Sequence, residues 1–248
     1  MVDSKGAKEA GLLSDHFQLI PSFFALIKAL NESGRSYSLT LRGFGSEVAL
    51  GGAELTAFLE RRHPVYSEGD GTQISSGNKT IEHKGIREGI FQRDSMGCSL
   101  VMGGGVSKPL VCRGERATEP DAIVAAMLPK QIKQETGKCA ILKDCQSWWE
   151  RKQEPSAGKF FPLRRRETEV HALFFDTQAR KQVDTRDDQG DHVPYAEVAG
   201  VHVIEVDPLR AMSDEAYFTE LLAGAEARYA EDLGERAPSM TFGLTEVF

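Results

Sequence analysis

The run Val170 to Asp176, V-H-A-L-F-F-D, most constrains what this chain can fold into. A short stretch this dense in apolar and aromatic side chains reads as a strand that carries an acid to its C-terminal edge. The run stops on an acid, and Thr177, Gln178 and a charged stretch from Asp184 to Asp191 follow. Open α/β sheets present acids in this way, in the crevice beyond the carboxyl ends of their strands.

The flanking sequence keeps the same rhythm. Pro21 suits the first turn of a helix, where its missing N–H costs nothing, and Phe23, Phe24, Ile27 and Leu30 follow at helical spacing until Gly34 offers a left-handed stop. Tyr37 to Leu41 alternates as a strand, the Gly43-Phe44-Gly45 turn follows, and residues 46–61 form a second helix with Val48, Leu55, Phe58 and Leu59 inward. Pro120 begins a helix with Ile123, Val124, Met127, Leu128 and Ile132 on one face, and Lys138 to Leu142 is a short apolar strand. Trp148 and Trp149 sit on a helix as packing residues. Val201 to Val206 is a further strand. Ser213 then caps a helix whose buried stripe is Tyr217, Phe218, Leu221, Leu222, Ala225 and Tyr229.

This order predicts an α/β fold: a Rossmann-like, mostly parallel sheet with helices on both faces and an inserted lid. The core takes residues 12–62 and 120–234, after a loose start over 1–11. Between 63 and 119 glycine is frequent and apolar runs are short, the texture of an inserted, cap-like region. Residues 235–248 read as a loose tail.

Composition excludes several classes. A net charge of −7 disfavours nucleic acid and anionic membrane as partners. No apolar run approaches the roughly 18 residues of a membrane span, and the M-V-D-S-K-G start has no apolar signal core. The four cysteines form no C-x-x-C pair, so zinc is not expected, and free thiols in a cytoplasmic setting are the default. Neither a G-x-S-x-G elbow nor an H-E-x-x-H helix occurs.

Candidate site residues are few. Asp176 either caps the turn that follows it or serves as a ligand for Mg²⁺, which one or two carboxylates commonly hold. Asp184, Asp187 and Asp188 are the acids within reach, either as further metal ligands or as a solvated turn. Lys159, in the small-residue turn S-A-G-K, either pins a phosphoryl oxygen as a point charge or is one exposed lysine among many.

Three stretches together resemble the haloacid dehalogenase-like hydrolases, a phosphotransfer superfamily on a Rossmann-like sheet. They are Ile20–Phe24 running on through Tyr37–Gly45, Ala157-Gly158-Lys159, and Val170–Asp176 continuing to Val183-Asp184-Thr185-Arg186. With residues 201–229 the similarity spans about two thirds of the chain. The resemblance implies an aspartate nucleophile ending a first, central strand, an acid/base Asp two residues on, and a Ser or Thr ending the second strand. It also implies a lysine on the phosphoryl group and acids that hold Mg²⁺, with a phosphorylated small molecule or protein as the ligand.

Carried over, it makes Lys159 the phosphoryl lysine and Asp176, with Asp184 or Asp187, the Mg²⁺ acids. Thr177 stands in place of a second Asp, and Gly43 in place of the hydroxyl residue. No D-x-D or D-x-N occurs in the 248 residues, so the nucleophile pair is missing. Loss of an attacking group costs about 10⁴–10⁶ in rate. The expectation is therefore a catalytically impaired relative, with two alternatives: a Mg²⁺-dependent phosphohydrolase whose first strand lies outside this chain, or a non-catalytic binding or scaffold protein. In every case the sheet wants another segment in its central place.

Overall fold

The computed structural model describes residues 4–10, 12, 16–66, 87–103, 116–127, 138–164, 170–233 and 239–245. An eight-stranded sheet forms its middle layer, in the order β4-β3-β2-β5-β1-β10-β7-β9. The strands are β1 (Ser38–Gly43), β2 (Arg87–Asp94), β3 (Gly97–Met102), β4 (Arg116–Ala117), β5 (Lys138–Lys143), β7 (Val170–Asp176), β9 (Val203–Glu205) and β10 (Ser239–Thr245). From β2 to β9 every neighbouring pair is parallel; β3 and β4 join antiparallel at one edge. Two further strands, β6 (Lys159–Pro162) and β8 (Val183–Arg186), make a separate parallel pair. The fold is thus mixed α/β with a mostly parallel sheet.

The strands divide their side chains between two buried layers. Leu39 and Leu41 of β1 and Leu173 and Phe175 of β7 face a helical layer made of α2 (Pro21–Glu32), α3 (Glu47–Leu59), α8 (Pro208–Ser213) and α9 (Tyr217–Leu233). On the other face Phe174 meets Phe161, Ala179, Val183 and Val198, from the β6–β8 pair and the short helices α6 (Ala179–Gln182) and α7 (Tyr195–Val198). Phe91, Leu100 and Leu142 pack there on Phe160 and on Ile123 of α4 (Pro120–Met127). Burial on both sides explains why V-H-A-L-F-F-D carries almost no polar alternation.

Most sequence-predicted elements lie where expected, but the start expected to be loose over 1–11 carries a short helix, α1 (Ser4–Glu9). Phe23, Phe24, Ile27 and Leu30 are buried on α2, and Gly34 takes the left-handed stop at φ +67°. Of the α9 stripe, Tyr217, Phe218, Leu222, Ala225 and Tyr229 are buried and Leu221 is partly so. Leu128 and Ile132, expected on α4, lie outside the described residues.

Three further expectations are revised. Ser213 does not cap α9: it is the last residue of α8 and bonds back to the Leu209 carbonyl at 2.9 Å. Acids stand on either side of it: Asp207 caps α8, accepting from the N–H groups of Leu209 and Arg210, and Asp214 accepts that of Ala216 just before α9. Second, within the expected cap at 63–119 the described strands β2, β3 and β4 belong to the main sheet, with β2 bonded directly to β5. Third, residues 239–245 of the expected tail form β10, which pairs with β1 on one side and β7 on the other. The central place in the sheet is therefore filled by the last strand in chain order. Among the described residues no helix is long and apolar enough to cross a membrane.

Candidate functional site

Three parallel strands bring charge to their carboxyl ends. Arg42 stands near the end of β1, Asp144 follows β5, and Asp176 ends β7. Arg42 lies on the face opposite Leu39 and Leu41, inside the second layer, where its guanidinium sits 4.4 Å from the Phe91 ring centre and 5.1 Å from that of Phe174. An arginine can be buried there because each of its three nitrogens has an acceptor. Nη2 and Nε hold the two oxygens of Asp144, the latter at 3.2 Å, and Nη1 donates to the Phe160 carbonyl at 2.6 Å. Bidentate pairing and two ring faces suit a guanidinium and would not suit a lysine.

The second pair joins the β6–β8 layer to the sheet. The Lys159 ammonium is 2.8 Å from Asp176 Oδ2, and both side chains are essentially inaccessible, at 0% and 1%. Asp176 Oδ1 accepts the Gln178 N–H at 2.6 Å. The capping role and the charged role are therefore both filled, one by each oxygen. Lys159 is no exposed lysine: its ammonium also lies 5.0 Å from the centre of the Phe44 ring. Phe44 in turn stacks on Trp149 of α5 (Gln146–Lys152), with centres 6.0 Å apart and planes at 13°. Trp149 thus packs, as its sequence context suggests. The lysine is set in place by a close crossing, since a Cβ on Gly158 would run into the Gln182 carbonyl.

Asp184 gathers the third centre. Its buried carboxylate meets Arg93 Nη2 at 2.6 Å, Arg186 Nε at 2.9 Å and His192 Nδ1 at 3.3 Å. Arg93 reaches there from β2 and also donates to the Gly158 and Ser156 carbonyls, at 2.7 and 2.6 Å. Asp187 is turned to its own loop, where Oδ1 accepts from Gln189 and Asp191.

Of the sequence-predicted site residues, then, the structure brings Lys159 and Asp176 together and places Asp184 among cations. Asp187 closes a turn. No three or more His, Cys, Asp or Glu side chains gather to hold a metal ion among the described residues. The donor set does not fit Mg²⁺, because Asp176 has an ammonium on one oxygen and an amide on the other. Asp144 and Asp184 are likewise engaged by arginines. No activated thiol offers itself at Cys98 or Cys139, where burial pushes both thiols up to about 12.

Sequence reasoning missed Arg42, Asp144 and Arg93. One signal was present for Asp144: C-A-I-L-K-D is a short apolar strand run ending in an acid, the same device as Val170–Asp176. Arg42 closes an otherwise apolar strand, S-L-T-L-R-G. In comparisons with known proteins the chain matches no family model, no curated protein and no solved structure.

Proposed function

We propose that this chain is a haloacid dehalogenase-like, Rossmann-like domain whose catalytic edge is closed by its own charges, so that it serves as a non-catalytic binding or scaffold protein. The observation that carries this reading is the sealed Lys159–Asp176 pair. The lysine and the acid assigned to phosphoryl and Mg²⁺ are bound to each other instead. The neighbouring Arg42 is likewise engaged by Asp144 and Phe160. A phosphoryl anion, on a small molecule or a protein, would meet a Lys159 that is buried and already paired with Asp176.

One further feature supports the family reading. The parallel run β5-β1-β10-β7-β9 has the pattern of a Rossmann-like sheet, with β10 where the nucleophile strand would stand. A cytoplasmic setting belongs to the same reading, with Cys98 and Cys145 as free thiols.

The test is calorimetric titration with Mg²⁺ and with inorganic phosphate, beside hydrolysis of an aryl phosphate. The expected result is no Mg²⁺-dependent turnover. Saturable turnover that disappears in Asp176→Asn would overturn the proposal and restore a Mg²⁺-dependent phosphohydrolase.

A further inference from the structure

Away from this edge, three rings tie the last long helix to the sheet. His171 of β7 is fully buried and lies flat against Tyr229 of α9, with centres 4.0 Å apart and planes at 6°. His202, in the turn before β9, meets both rings edge-on at 5.2 and 5.3 Å. Each histidine also holds a backbone carbonyl: His171 Nε2 is 2.7 Å from Val201 O, and His202 Nδ1 is 3.0 Å from Ala172 O. The two bonds cross between strand and turn, so β7, the 199–202 turn and α9 share one cluster.

The cluster is poorly provided for positive charge. His171 Nε2 donates to a carbonyl, which leaves Nδ1 as a bare acceptor, and that atom is buried without a hydrogen-bond partner. A proton added there has nothing to donate to. Among the described residues, the titratable groups in ring contact with His171 are His202 and Tyr229, and neither side chain is an anion at neutral or acid pH. On α9 the next residue back, Arg228, donates to the Gly200 carbonyl at 3.1 Å and adds a fixed positive charge to the same turn. The carboxylate of Glu226, three residues from Tyr229, is taken by Arg35. On the β10 side His171 is in register with Met240, which does not titrate.

We propose that His171, His202 and Tyr229 form an acid-released latch, which fastens α9 to the β7–β9 edge while His171 is neutral and frees it when His171 takes a proton. Burial holds the His171 imidazole down at about 4, and the neighbouring His202 pushes the same way against the Val201 carbonyl. The sign follows from linkage. The released or unfolded imidazole binds its proton near 6.5 and the latched one only near 4, so latching is at full strength above pH 6.5 and weakens as pH falls through that window. Within it, each pH unit costs the latched state up to about tenfold in its equilibrium.

Hydrogen exchange on the full chain tests this. Between pH 6.5 and 4.5, after correction for intrinsic rates, protection of Tyr217–Leu233 should fall by about tenfold or more relative to Glu47–Leu59. His171→Phe, which keeps a ring against Tyr229 without a titrating nitrogen, should flatten that difference, and His171→Gln should do so while keeping a donor for Val201. Equal loss of protection in α3 and α9 would overturn the latch, as would an unchanged acid profile in a folded His171 variant. Should neither variant fold, the imidazole titration of the wild-type protein by NMR decides: a folded-state value near 6.5 overturns the proposal, and one near 4 supports it.

Discussion

The Arg42 and Lys159 centres and the Asp184 centre hold charge in different ways. Arg42–Asp144 and Lys159–Asp176 are matched one to one, and all four side chains are at most 2% exposed. Asp184 is equally buried but serves Arg93, Arg186 and His192, whose exposure rises from 10% through 28% to 47%. In each sealed pair both charges are buried, so neither partner can be removed without stranding the other. The Asp184 centre is redundant and opens stepwise to solvent, so losing one cation leaves the carboxylate satisfied. Strand ends that could have formed a binding crevice are instead part of the core, and the graded charge lies in the β6–β8 layer.

Breaking a sealed pair should give the largest effect. Asp144→Ala leaves a guanidinium buried between two phenylalanines and should cost about 3–5 kcal/mol in denaturant unfolding. Lys159→Met strands Asp176 and should cost a similar amount. Lys159→Met with Asp176→Asn should recover much of that loss, because the double variant leaves no lone buried charge. A double variant as unstable as the sum of the singles would mean that these two charges are not coupled as described.

Asp184→Asn sharpens the comparison from the other side. Its cations can turn toward water, so about 1–3 kcal/mol is expected, below either sealed pair. His192→Gln should be smallest, within about 0.5 kcal/mol, since Arg93 and Arg186 remain on Asp184. A large effect there would erase the distinction between the two kinds of centre.

Much of the fold was legible because hydrophobic period and punctuation agree: Pro21, Gly34 and Pro120 bound helices, and V-H-A-L-F-F-D announces a strand that ends on an acid. The site was legible only where an acid or lysine broke a local pattern, as Asp176 and Lys159 do. Arg42 was not, because its partners come from β2, β6, β7 and the residue after β5, and its charge is tolerable only once all four are assembled. Nor was β10. Its neighbours in the sheet are remote in the chain, and pairing of that kind leaves no mark on local periodicity.

The position of β10 has a consequence for how the molecule is made. Leu39 must find Phe242, about two hundred residues further along the chain, before the sheet closes. During synthesis β1 therefore emerges from the ribosome with one long edge unpaired, and it stays so until the other strands have been translated. Loops this long slow folding, and open apolar strand edges invite pairing between nascent chains. Until β10 arrives, that edge is a surface for chaperones to guard.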